Sequence, residues 1–84
     1  MMKVEGLKRR VVRLLEEQGD FWLHSLLRLI DIEGLAGTMY EQDARRVGGL
    51  LDIVSKYEGV EVDCDEEERA LARLEWVLVP KTGA

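Results

Sequence analysis

The chain has 84 residues, 46% apolar and 35% charged, with twelve Lys and Arg against seventeen Asp and Glu. That length holds one domain, a lone cysteine, Cys64, excludes an internal disulfide and a four-cysteine zinc site, and no apolar run approaches the ~18 residues of a membrane span. A formal charge of −5 weighs against nucleic acid, whose binding rests mostly on phosphate neutralisation.

Val4, Leu7, Val11, Leu14 and Leu15 recur at helical spacing with charged residues between them, and Gly19 stands where a helix C-cap glycine belongs. A helix is predicted over 3–18. Asp20-Phe21-Trp22 follows, and Phe21–Trp22 can pair as a short strand. Leu23, Leu26, Leu27 and Ile30 carry a second helix to about Asp31, and Ile32 to Gly37, with two glycines, is a turn. Thr38-Met39-Tyr40-Glu41 has the pattern of a capping box, Thr38 accepting from the third-position N–H and Glu41 reaching back to the Thr38 N–H. It opens a third helix whose apolar face holds Val47, Leu50, Leu51, Val54 and Tyr57, ended by Gly59.

Val60-Glu61-Val62-Asp63-Cys64 alternates apolar and acidic, as a half-buried strand does, and Leu74 to Val79 is predicted as a second strand with Leu74, Trp76 and Leu78 on one face. Between them, Asp65–Arg73 has two readings. Its four acidic residues followed by Arg69-Ala70-Leu71-Ala72-Arg73 also make a good helix start. A hairpin whose tip holds a helical turn is preferred, and residues 80–84 are a frayed tail. The expected core includes Leu14, Leu27, Val47, Leu51, Val54 and Trp76.

Helix, short strand, helix, turn, capped helix, strand, loop, strand: in this order the chain resembles the winged-helix superfamily over about 3–79. The resemblance implies an α+β fold of three helices with a C-terminal two-stranded antiparallel β-hairpin and a further short strand at 21–22, as one domain over 1–84. It also implies that the third helix, about 39–57, enters the major groove of double-stranded DNA, as in a small transcriptional regulator. The Ile32–Gly37 connection is longer than a helix-turn-helix turn, and the wing carries Glu66, Glu67 and Glu68 where DNA-binding members often carry Arg or Lys.

On the third helix Gln42, Arg45, Gly49, Asp52 and Lys56 form a stripe opposite the apolar face, flanked by Arg46, with Tyr40 in the first turns. Gln and Arg read base edges bidentately, and a recognition helix reads with its N-terminal half. The expected DNA contacts are therefore Tyr40, Gln42, Arg45, Arg46 and Lys56, with Arg9 and Arg13 of the first helix near phosphates. Any amphipathic helix needs such a polar face, however, and the first-helix bases can equally pair with Glu5, Glu16 and Glu17. Residues 58–68 hold seven acidic side chains. A protein–protein interaction module using its acidic wing or helical face is the competing function. A two-fold homodimer is the expected assembly.

Gly48-Gly49 inside a helix costs on the order of 1–2 kcal/mol relative to Ala-Ala, so another backbone is expected to approach Gly48 closely, while Gly49 faces outward. A calcium loop beginning at Asp63 fails, because Glu68 occupies the glycine position and Leu74 the final acidic one. His24 and Ser25 adjoin without a carboxylate that any motif places beside them, and no phosphate loop is present. Neither enzyme nor cofactor is expected. Phe21, Trp22 and Trp76 are few enough for the core to consume, and a stacking platform for single strands would need them exposed. The N-terminus enters charge at once, unlike a secretory leader, so a soluble cytoplasmic protein is expected. Asn is absent, Gln occurs twice, and Arg outnumbers Lys eight to four, a bias that thermophile proteins show.

Overall fold

A computed structural model describes residues 3–19 and 21–79 and gives them four α-helices: α1, Val4–Leu14; α2, Trp22–Ile32; α3, Met39–Val54; and α4, Asp65–Leu78. No strand occurs among the described residues, which overturns the winged-helix architecture. α3 packs against α2 and α4, and α1 lies against α4. Asp20 and the tail from residue 80 onward fall outside the described residues.

α1 buries Leu7 and Val11, and Leu15 just beyond it, on the face that the periodicity marks. It ends at Leu14 rather than at residue 18. Glu17 and Gly19 both take left-handed backbone, φ 80° and 85°, and no α-helix continues through such residues. α2 starts one residue before the expected Leu23. Trp22, Leu26 and Ile30 form its buried stripe at steps of four, so Trp22 belongs to the helix and Phe21 precedes it as a 76% exposed N-cap. The short strand at 21–22 is absent. Leu27 and Leu14, expected in the core, are half-buried beside it.

Thr38 caps α3 by a variant of the predicted box. Its hydroxyl accepts from the Tyr40 N–H at 3.2 Å and donates to the Leu35 carbonyl, while Glu41 accepts from the Gly37 N–H at 3.4 Å. Both acceptors thus serve an N–H one residue earlier than expected. Val47, Leu51 and Val54 are buried as predicted and Ala44 joins them, while Leu50 is half-buried. The helix stops at Val54, however, so Lys56 and Tyr57 lie in the turn after it and Tyr57 is exposed. At Gly48 a Cβ would stand 2.5 Å from the Leu23 Cα and 2.9 Å from its N. The glycine lets α3 lie directly on the α2 backbone.

Residues 65–78, expected as wing and second strand, are one helix. Asp63 accepts from the Asp65 N–H at 3.0 Å, which turns the chain into it. Asp65, Glu66, Glu67 and Glu68 fill its first turn, each favoured by the helix dipole by about 0.3–1 kcal/mol. Ala70, Leu71, Leu74 and Leu78 form its buried stripe. A helix and a strand both keep Leu74 and Leu78 inward, because four residues is near one helical turn and also an even number. What separates them is Leu71, inward only on the helix, and Trp76, inward only on the strand. Leu71 is fully buried and Trp76 is 68% exposed. With no second strand to pair with, residues 60–64 form a connection without ladder, and Cys64 alone among them is buried. An isolated two-stranded hairpin is marginal in water, whereas a helix satisfies its backbone internally.

Candidate interaction face on helices three and four

Two ion pairs fix α3 antiparallel to α4. The Arg73 guanidinium donates in bidentate fashion to Asp43, Nε to Oδ2 at 2.9 Å and Nη2 to Oδ1 at 2.7 Å. Farther along, Arg46 donates to Glu66 at 2.6 Å and lies 3.9 Å from Glu67. Residue numbers rise on α3 as they fall on α4. Asp43 is a carboxylate in the core, its side chain only 8% exposed. A buried carboxylate needs a partner that meets both oxygens, and the planar guanidinium does so. The hydrogen bonds to Asp43, outweighing some desolvation, raise the Arg73 pKa further above its already high range.

Around this clasp lies an open depression of about 550 Å³ lined by Met39, Gln42, Asp43, Arg45, Arg46 and Arg73. A smaller one of about 220 Å³ continues it past Arg46 and Arg73 to Glu66 and Arg69. Of the expected DNA contacts, the structure brings Gln42, Arg45 and Arg46 together here. Tyr40 is half-buried against the core and Lys56 lies beyond α3. Arg9 and Arg13 are exposed on α1 and do not line either depression. Arg45 has Glu41 at 3.4 Å, one turn away.

Sequence reasoning missed Arg69 and Arg73, because a wing loop hid their register. Read as a helix, Arg69, Arg73 and Trp76 fall on one face. Met39 is exposed too, and it lines the larger depression with Arg73. The expectation that the core consumes Trp76 and Phe21 is therefore corrected; only Trp22 is buried.

Elsewhere the chemistry is sparse. Ser25 is buried and its hydroxyl donates to the Gln18 carbonyl at 3.3 Å, while His24 points to the exposed side of α2. No group of three or more His, Cys, Asp or Glu among the described residues is placed to hold a metal ion. Burial pushes the Cys64 thiol pKa up, and Glu67, Asp65, Glu68 and Asp63 push it the same way. Lys8 pairs with Glu5 at 3.6 Å, and Arg10 with Glu75 across α1 and α4. No helix among the described residues is long and apolar enough to cross a membrane. No family model, curated protein or solved structure matches this chain, so the face is read from its own residues.

Proposed function

We propose that the chain is a binding module for another protein, docking it on the face shared by α3 and α4. The observation that carries this reading is Trp76, 68% exposed on the α4 face that also carries Arg73, which Asp43 clamps beside exposed Met39. Trp, Met and Arg are enriched in protein interfaces, and Trp and Arg dominate their binding energy. The pre-set guanidinium loses little further freedom on docking. Around it, Arg45, Arg46 and Arg69 suit a partner segment with an apolar side chain flanked by carboxylates. Exposed pairs such as Arg46–Glu66 are worth about 0.2–1 kcal/mol, so a partner's carboxylate can replace Glu66 with little loss.

One observation favours double-stranded DNA as a second reading: Gln42 and Arg45 are exposed on the first half of α3, in reach of a groove. Against it, Glu41, Asp43, Glu66 and Glu67 stand among the same arginines, and carboxylates near phosphate oppose association. The two readings separate in one pair of assays. Under the protein reading, immobilised wild type captures a partner from cells of its source, Trp76→Ala and Arg69→Ala lose it, and random-sequence duplex does not bind at ~50 mM salt. Duplex binding that falls steeply with salt and with Arg45→Ala, with no Trp76-dependent capture, would reverse the choice.

A further inference from the structure

The outer face of α3 adjoins the first surface, shares Arg45 and Arg46 with it, and is complementary to itself. Gly49 sits at its middle, and unlike Gly48 it has nothing within 4 Å of where a Cβ would stand. No intrachain packing accounts for a glycine there. By helical spacing, Arg45 and Asp52 flank Gly49 on one side of this face, one before it and one after, while Arg46 and exposed Ile53 flank it on the other. No ion pair engages Asp52 among the described residues, and Arg45 has only the exposed Glu41 contact at 3.4 Å.

We propose that a second copy of the chain docks here, α3 against α3, antiparallel about a two-fold axis passing at Gly49. An isologous contact brings residues after the axis opposite residues before it. Arg45 of each copy then meets Asp52 of the other, and Ile53 lies along the aliphatic stem of the opposing Arg46. The glycine at the crossing lets the two helix axes approach closely, as small residues do wherever helices touch backbone to backbone. Charge selects the occupant: a foreign partner would need this alternation by coincidence, whereas a second copy carries it by symmetry. One 16-residue helix on its mate buries less than the roughly 1,200 Å² of a standard interface. The dimer is consequently weak and forms reversibly. Its contact takes Arg45 and Arg46, which the face shared with α4 also offers, so a second copy and a protein partner compete for these two residues, while Trp76 and Arg69 lie outside the contact.

Sedimentation equilibrium of the full chain tests it, at concentrations up to about 0.5 mM, suited to an interface below standard size. Wild type should dimerise reversibly. Arg45→Asp and Asp52→Arg should each abolish their own homodimer, since each sets like charges opposite one another. Mixed together, the two variants should form a heterodimer, because both cross-axis contacts then set a carboxylate of the first variant against a guanidinium of the second. Gly49→Leu should be monomeric, and its thermal melt should be no lower than wild type, because its side chain enters open space within the chain. Wild type that stays monomeric, a mixture that does not pair, or a Gly49→Leu variant that dimerises as wild type does would each overturn the proposal.

Discussion

Adjacent glycines on α3 serve opposite physical ends. A methyl at Gly48 would overlap the Leu23 backbone, which has no flexible end to move aside. Gly48→Ala should therefore lower stability by about 1–3 kcal/mol or more, the range for overpacking. Gly49→Ala meets nothing and should raise stability by about 1 kcal/mol through helix propensity. Urea unfolding of the two variants checks the opposite signs. Cys64 makes a second prediction at this scale. Its thiol pKa is raised by burial and by four neighbouring carboxylates above its ordinary 9.0. The folded state thus holds that proton more tightly than the unfolded one. Its contribution is complete below pH 9 and is lost as pH rises through the folded value. The stability of Cys64→Ala should fall less steeply than that of wild type above pH 9. Folded wild type should also resist thiol reagents at neutral pH, as buried thiols do.

Among the elements, α4 is where local pattern and tertiary packing have to be weighed together. Its first half has helical propensity and an acidic first turn, while its second half alternates as a strand does. Burial of Leu71 and Leu74 together turns the whole stretch helical. Leu71→Ala should cost about 2–5 kcal/mol, as for a large-to-small change at a closed site, and a loss in urea unfolding of less than ~1 kcal/mol would mean the residue is not in the core. The strand reading puts Leu71 and Trp76 on opposite sides from where the helix puts them, so Trp76→Ala should change stability little. α1 and α3, by contrast, each show one unbroken helical stripe, and both lie where the spacing puts them apart from their last turns.

Across the molecule, an acidic protein gathers four of its eight arginines on one face. Arg45, Arg46, Arg69 and Arg73 come from two helices brought antiparallel, and each of the first two stands by a carboxylate of its own chain. Bulk charge therefore describes neither the sign nor the evenness of this surface. The local mixture of guanidinium, carboxylate and exposed Trp resembles an interface rim and centre more than a phosphate-binding groove, which is uniformly basic. That contrast, rather than net charge, is what the duplex and capture assays interrogate.

Three of the helices, the Thr38 cap, the buried face of α3 and the close approach at Gly48 could all be read from the residues in order. These features depend on neighbours within one or two turns, and a glycine in mid-helix announces a contact even when its partner is unnamed. Three things lay beyond local reading. Leu74, Trp76 and Leu78 have the same parity on a strand and nearly the same azimuth on a helix for two of the three, so only packing against α3 separated the alternatives. Nothing near Asp43 in the chain marks it as buried; α4 supplies Arg73, thirty residues away, to satisfy both its oxygens. The face itself joins Arg45 and Arg46 to Arg69 and Arg73 because the two helices run antiparallel, and spacing along the chain carries no information about that.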